Sequence, residues 1–143
     1  MENIEDIRTK LEVAKAKRAE VEAQREAEAE EAKARRELED LEKLEELEAE
    51  HGPLGEGLAQ VVIADRFTVF LKKGGKAHWA KLKSYGDNIK EKQVIEFVKP
   101  HIVHPDVGTV VKLADEYPIL WATLMEAMNH LAGIRREKLQ GKS

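Results

Sequence analysis

The N-terminal third of the chain constrains the fold most, because residues 2–50 contain neither glycine nor proline. Alanine, glutamate, lysine, arginine and leucine dominate this run, and all of them are strong helix formers. A single helix of this length measures about 70 Å at 1.5 Å per residue. A small domain cannot cover such a helix along its whole length. We therefore expect it to pair with another helix, to project into solvent or to fray.

Apolar residues at both ends of this helix favour pairing. At the N-terminal end they follow the 3-4-3 spacing of a coiled-coil seam, at Ile4, Ile7, Leu11 and Ala14. Near the other end leucines recur every three residues, at Leu38, Leu41, Leu44 and Leu47. Charged residues fill much of the seam in between, so a solvated single helix is the alternative. We predict that the isoleucines and leucines bind a second copy of the chain or a partner helix.

The stretch HGPLGEG at residues 51–57 ends the charged run. Gly52 favours the end of a helix, and Pro53 prevents the helix from resuming. We therefore predict a helical arm at residues 1–50, a linker at 51–57, a compact domain at 58–134 and a basic tail at 135–143. The arm is acidic and the rest of the chain is basic, although the formal charge of the whole is only −4.

The compact domain is predicted to begin with a β-hairpin, because residues 60–64 and 66–72 are rich in β-branched and aromatic residues. Ala64 and Asp65 form its turn. About four short helices follow, divided by prolines and capping residues. The predicted fold is thus mainly α, with a long charged, coiled-coil-like helix before a small α+β domain.

Helix boundaries follow from particular residues in this part of the chain. We expect Asn88 to cap a helix that ends near Pro100, and Asp106 to cap the helix Val107–Glu116. Pro118 then separates this helix from the last one, in which it takes the first position. Gly133 closes the last helix, and Ile134 folds back onto it.

Two parts of the domain are candidate partner-binding surfaces. They are the hairpin and the region of the last helix, with side chains at Phe67, Phe70, Tyr117, Trp121, Met125 and Met128. Methionine-rich apolar helices serve as adaptable binding surfaces. A domain of this size needs most of such a stripe for its core, so we expect only one edge to face a partner.

The succession of short motifs in this domain resembles a known family. The motifs are Val103-His104-Pro105-Asp106, then Glu116-Tyr117-Pro118 with Leu120, and finally Leu131-Ala132-Gly133-Ile134. With the hairpin before them, residues 57–134 resemble the tail assembly chaperones of long-tailed bacteriophages. The resemblance implies a non-enzymatic protein that binds the tape-measure protein or another tail component. Such a protein acts in the host cytoplasm or stays in the virion as a structural component.

The residue types argue against catalysis and metal binding. The chain has no cysteine, and Ser84 and Ser143 are its only serines. His101, His104 and Asp106 invite a metal-site interpretation, but zinc needs three or four well-placed ligands. A helix cap at Asp106 explains the same pattern. We therefore expect no enzymatic activity, no cofactor and no metal.

The sequence also predicts a soluble, cytoplasmic protein. No apolar run approaches the ~20 residues of a membrane-spanning helix. The N-terminus, MENIEDIRTK, is charged and does not resemble a signal peptide. We therefore expect no membrane partner.

Nucleic-acid binding is the main alternative function. Lysines cluster near His78, Trp79 and Tyr85, at Lys72, Lys73, Lys76, Lys81, Lys83, Lys90 and Lys92. Lysines beside aromatic rings can bind phosphates while the rings stack on bases. The simpler explanation is that the lysines cover the outer faces of two helices while Trp79 lies in the core. The acidic arm would also repel a polyanion, so we rank protein binding first.

Overall fold

The structure is a computed structural model that describes residues 3–133. Met1, Glu2, Ile134 and the predicted basic tail lie outside the described residues. The predicted fold class is confirmed, with a long N-terminal helix before a small α+β domain. In chain order the elements are α1 (Ile4–His51), β1 (Leu58–Ile63), β2 (Phe67–Lys72), α2 (Lys76–Lys83), α3 (Glu91–Val98), β3 (Ile102–His104), α4 (Val107–Glu116) and α5 (Leu120–Leu131).

Helix α1 begins and ends at residues that suit helix termini. The Asn3 side-chain oxygen accepts a hydrogen bond from the Asp6 backbone N–H at 2.9 Å. Glu5 and Asp6 place negative charge in the first turn, where the helix dipole favours it. After His51, Gly52 has a φ of 100°, which a residue with a side chain rarely adopts, and Pro53 follows.

The chain divides into two compact units inside α1, one up to Leu38 and one from Glu39 onward. The compact domain therefore begins within the helix, before the predicted linker at residues 51–57. In the first unit, every residue from Asn3 to Arg35 is exposed. That unit is a helix with no buried core of its own among its described residues.

The three strands form an antiparallel sheet in the order β1-β2-β3. The hairpin between β1 and β2 is confirmed, and its turn contains Ala64 and Asp65 with φ angles of 53° and 55°. Strand β3 was not predicted from the sequence. It has only three residues and follows directly on a 3-10 turn at Lys99–His101, so it shows no alternating pattern.

Both faces of the sheet are apolar, because side chains alternate along each strand. One face, with Ile63, Val69 and Leu71, packs in the main core against helices α2 to α5. The other face carries Leu58 and Phe70, and Leu47 of α1 packs on it. Near this second contact, the Asp40 carboxylate accepts a hydrogen bond from the Thr68 hydroxyl at 2.5 Å.

Several helix boundaries differ from the prediction by a few residues. Helix α3 is capped at Lys90 and not at Asn88, and the Lys90 backbone N–H donates to the Gln93 side chain at 2.9 Å. Asp106 caps α4 as predicted, because its side chain accepts a hydrogen bond from the Thr109 backbone N–H. Helix α5 begins at Leu120 and not at Pro118, because residues 118 and 119 form a turn before it.

The burial of Leu47 leads to a stability prediction with a control on the same helix. We expect Leu47→Ala to lower the free energy of unfolding by about 2–5 kcal/mol, because it leaves a cavity between α1 and the sheet. Leu41→Ala removes an exposed side chain and should change that free energy by less than about 0.5 kcal/mol. Urea denaturation followed by tryptophan fluorescence measures both. Equal effects would contradict the assignment of the end of α1 to the compact unit.

The hairpin turn leads to a second prediction. Ala64 has a left-handed backbone conformation, which is costly for any residue with a Cβ atom. We expect Ala64→Gly to raise the free energy of unfolding by about 0.5–1 kcal/mol. The same substitution in the interior of α2, Ala80→Gly, should lower it by about 1 kcal/mol. The midpoint temperatures of thermal unfolding should therefore shift in opposite directions, upward for Ala64→Gly and downward for Ala80→Gly. Shifts in the same direction would contradict the turn geometry.

Candidate functional site

The seam residues in the first unit of α1 are exposed. The Ile4 side chain is 69 % exposed, and those of Ile7 and Leu11 are each 54 % exposed. Their 3-4 spacing places them along one side of the helix. In the described part of the chain no other segment covers them. This side of α1 is therefore an uncovered apolar stripe.

The leucines near the end of α1 lie on different sides of the helix. Successive residues are about 100° apart around an α-helix, so a spacing of three turns the direction by about 60° at each step. Leu38 and Leu41 are accordingly 58 % and 64 % exposed, Leu44 is half-buried, and Leu47 is only 4 % exposed. The prediction that Leu47 binds a partner is wrong, because its side chain packs on Leu58 and Phe70.

Three further residues predicted to bind a partner are buried as well. Phe70 lies under the end of α1, while Trp121 and Met128 lie in the main core on α5. Their contacts are with the domain itself, so the prediction of a partner contact is wrong for each of them. The domain has few large side chains, and its core requires these.

The remaining predicted residues lie at the surface or its edge. Phe67 is exposed, and its ring contacts the Tyr117 ring edge-on with 6.1 Å between the ring centroids. Tyr117 and Met125 are half-buried. Ile119 was not predicted, yet it is the most exposed large apolar residue of the compact unit among those described. We call Phe67, Tyr117 and Ile119 the turn surface.

A sequence signal for Ile119 was present, in the proline before it. Pro118 restricts the backbone to a turn between α4 and α5. Ile119 follows it and is the N-cap residue of α5, just before the first helical position. Its side chain is 74 % exposed.

His101, His104 and Asp106 each contact protein groups. The His101 ring is buried, and its Nδ1 donates a hydrogen bond to the Phe97 carbonyl oxygen at 2.7 Å. The His104 ring lies 6.1 Å from the Phe70 ring, on the other face of the sheet from the main core. Asp106 caps α4. Within residues 3–133, no group of three or more His, Asp or Glu side chains is placed to hold a metal ion.

Burial lowers the pKa of the His101 imidazole below its ordinary value of 6.5, although the hydrogen bond to Phe97 partly opposes this change. Burial also lowers the pKa of His104, and the nearby Lys43 ammonium adds to this effect. For both side chains the folded domain favours the neutral form.

The lysine-rich region presents charge without a free aromatic platform. Its lysines are exposed apart from Lys72, which is half-buried. The Trp79 ring is half-buried and packs on Phe97, with 4.6 Å between the ring centroids. The His78 ring contacts the buried His101 ring edge-on at 4.7 Å. The Trp79 ring therefore supports the core of the domain, which weakens the case for base stacking on it.

Two cavities open on the surface of the compact unit. One, of about 300 Å³, lies between β1 and α5 and has a mainly apolar lining that includes Leu58, Ala127 and Leu131. The other, of about 220 Å³, lies between α2 and α3 and is lined by both apolar and charged side chains, among them Phe97, Lys81 and Glu96.

Comparisons with protein-family models, with curated proteins and with solved structures find no match to this chain. No helix in the described part of the chain combines the length and the apolarity needed to cross a bilayer.

His101 and His104, whose pKa values are lowered, lead to a prediction about pH. Their pKa values are lowered in the folded state, so the unfolded chain binds more protons below about pH 6.5. The free energy of unfolding should therefore be fully retained above that pH and should fall as the pH drops toward 5. The decrease is at most about 1.4 kcal/mol per pH unit for each histidine.

Urea denaturation at a series of pH values tests this. His101→Gln retains a hydrogen-bond donor for Phe97 and cannot titrate, so its unfolding free energy should depend less steeply on pH in this range. The further substitution His104→Gln should flatten the dependence again. A wild-type free energy that rises on acidification from pH 6.5 would contradict the argument.

Proposed function

We propose that this chain is a protein-binding protein that pairs the first part of α1 with another helix. Its activity is binding and not catalysis. We further propose that it acts in bacteriophage tail assembly, as a chaperone for the tape-measure protein or another tail component. Its place of action would then be the host cytoplasm, or the virion if it stays on the finished tail.

The apolar stripe of Ile4, Ile7 and Leu11 carries this proposal. Burying an aliphatic side chain fully contributes roughly 1.5–3 kcal/mol, and each of these residues is at least half exposed. The described residues of this unit give the stripe no cover. A second helix laid along it would gain much of that free energy, which favours pairing over a solvated helix.

The turn surface supports a second contact. The Phe67 and Tyr117 rings are in contact, and Ile119, two residues after Tyr117, is exposed. Aromatic residues are enriched at protein interfaces. In the proposed function this surface docks on the client or on the growing tail while α1 pairs with a helical segment.

The phage setting depends on the sequence resemblance of residues 57–134. Its motifs lie at helix boundaries, with Asp106 at the start of α4 and Pro118 between α4 and α5. Nucleic-acid binding is the second candidate, favoured by the exposed lysines and disfavoured by the packing of Trp79 on Phe97.

Paired variants of α1 test the proposed function. Ile7→Glu with Leu11→Glu places charge in the stripe, whereas Ala16→Glu with Ala23→Glu adds the same residues elsewhere on the exposed helix. Glutamate and alanine are both good helix formers, so helicity should be retained. We expect the wild type and the control to self-associate, or to form a complex with the tape-measure protein encoded in the same genome, and the stripe variant to do neither.

Light scattering after size-exclusion chromatography gives the mass in each case, and circular dichroism checks the helix. A wild-type chain that is a monomer and forms no complex would contradict the proposal. Loss of binding in the Ala16 and Ala23 control as well would show that added charge alone is responsible.

A further inference from the structure

Basic and acidic residues of α1 lie on different sides of the helix in the segment that carries the apolar stripe. With Ile4 as position a of a heptad abcdefg, Ile7, Leu11 and Ala14 occupy positions d, a and d. Positions e and g, which border the seam, carry only basic charges, at Arg8, Lys10, Lys15 and Lys17. The acidic residues of the same segment lie at the outer positions b and c, at Glu5, Asp6 and Glu12. All of these residues are exposed.

Residues at e and g contact the partner helix and determine which partner is accepted. A seam with basic residues on both borders therefore selects for negative charge on the helix that packs against it. A second copy of this chain does not provide that charge in a favourable register, for the following two orientations.

Parallel pairing with a second copy is unfavourable. It places Arg18 next to Arg18 and Arg25 next to Arg25 at position a of the seam. At the border, Lys10 at g then faces Lys15 at e of the other copy. Like charges in these positions destabilise a coiled coil.

Antiparallel pairing with a second copy is unfavourable as well. Full overlap of residues 4–35 supplies opposite charges at the borders, with Lys15 near Glu22, but it packs Leu11 against Glu28 and Ile4 against Arg35. A shorter overlap that matches Ile7 with Leu11 brings Arg8 against Arg8. The full overlap therefore buries charged side chains in the seam, and the shorter overlap places like charges against each other at its border.

We infer that residues 4–18 bind an acidic amphipathic helix from a different protein, with aliphatic residues at its a and d positions and Glu or Asp at e and g. This inference rests on the proposed function and specifies its partner. Carboxylates at the borders of the partner meet Arg8, Lys10, Lys15 and Lys17, while the aliphatic seam covers Ile4, Ile7 and Leu11. An acidic residue opposite Arg18 would end the seam.

Two synthetic helical peptides test this inference with the full-length chain. Both have the same Ile and Leu residues at a and d, and they differ only in carrying Glu or Lys at e and g. We expect the Glu peptide to bind on the order of tenfold or more tightly than the Lys peptide in low salt, since several exposed ion pairs add up. The difference should shrink in about 0.5 M salt, where the Debye length is only a few ångströms. Isothermal titration calorimetry measures both affinities.

Variants of the chain assign the effect to the border residues. Arg8→Glu, Lys15→Glu and Lys17→Glu together should reverse the preference, so that the Lys peptide binds more tightly. Lys33→Glu, which reverses a charge at an outer position, should leave it unchanged. Leu11→Glu should abolish binding of either peptide.

The inference is overturned if the two peptides bind equally, if the Lys peptide binds better, or if a homodimer of the wild type excludes the Glu peptide. In the last case the mass would still depend on Ile7 and Leu11, so the proposed function would survive. Failure of the proposed function differs, because neither peptide would then bind and the stripe variant would behave like the wild type in every assay.

Discussion

The compact unit depends on a sheet that is apolar on both faces. A two-stranded hairpin by itself is marginally stable in water, so β1 and β2 depend on β3 and on the helices that pack against the sheet. Helices α2 to α5 cover the face with Val69 and Leu71, and the end of α1 covers the face with Leu58 and Phe70. The hydrogen bond between Asp40 and Thr68 adds a directional contact to the apolar packing of α1 on Leu58 and Phe70. The need to cover Phe70 therefore explains why the compact unit begins inside the helix.

Much of this fold follows from local chemistry and could be predicted from the sequence. The absence of glycine and proline predicted α1, and the capping residue Asp106 predicted the start of α4. The β-branched run around Val69 predicted the hairpin. These features depend on residues close in sequence, where propensity and capping dominate. Strand β3 depends instead on pairing with β2 across the chain, and three residues are too few to show such pairing in a pattern.

The candidate site was only partly predictable from the sequence. Whether a side chain is exposed depends on which face of its helix or strand packs against another element. The spacing of Leu38, Leu41, Leu44 and Leu47 resembles a stripe when it is counted along the sequence. Around the helix, however, the first and last of these leucines point about 180° apart. Leu47 could be assigned to the core only once the apolar face of the sheet was known to need it. Ile119 was missed because a proline suits either the first position of a helix or a turn, and the prediction placed Pro118 in the helix, whereas residues 118 and 119 form a turn.

In the proposed pairing, the charges in the seam of α1 select the partner. A helix with Arg18 and Arg25 at seam positions gains less from pairing than one with leucine there, but it also resists pairing with itself. The alanines of α1 favour a helix even without a partner. Local ion pairs, such as the one between Glu31 and Arg35 at 3.1 Å, add a few tenths of a kcal/mol each. A helix that is already formed loses less conformational entropy on binding than a segment that must fold first. A moderate apolar stripe with selective borders is therefore sufficient for specific binding, provided that the partner supplies the complementary charge.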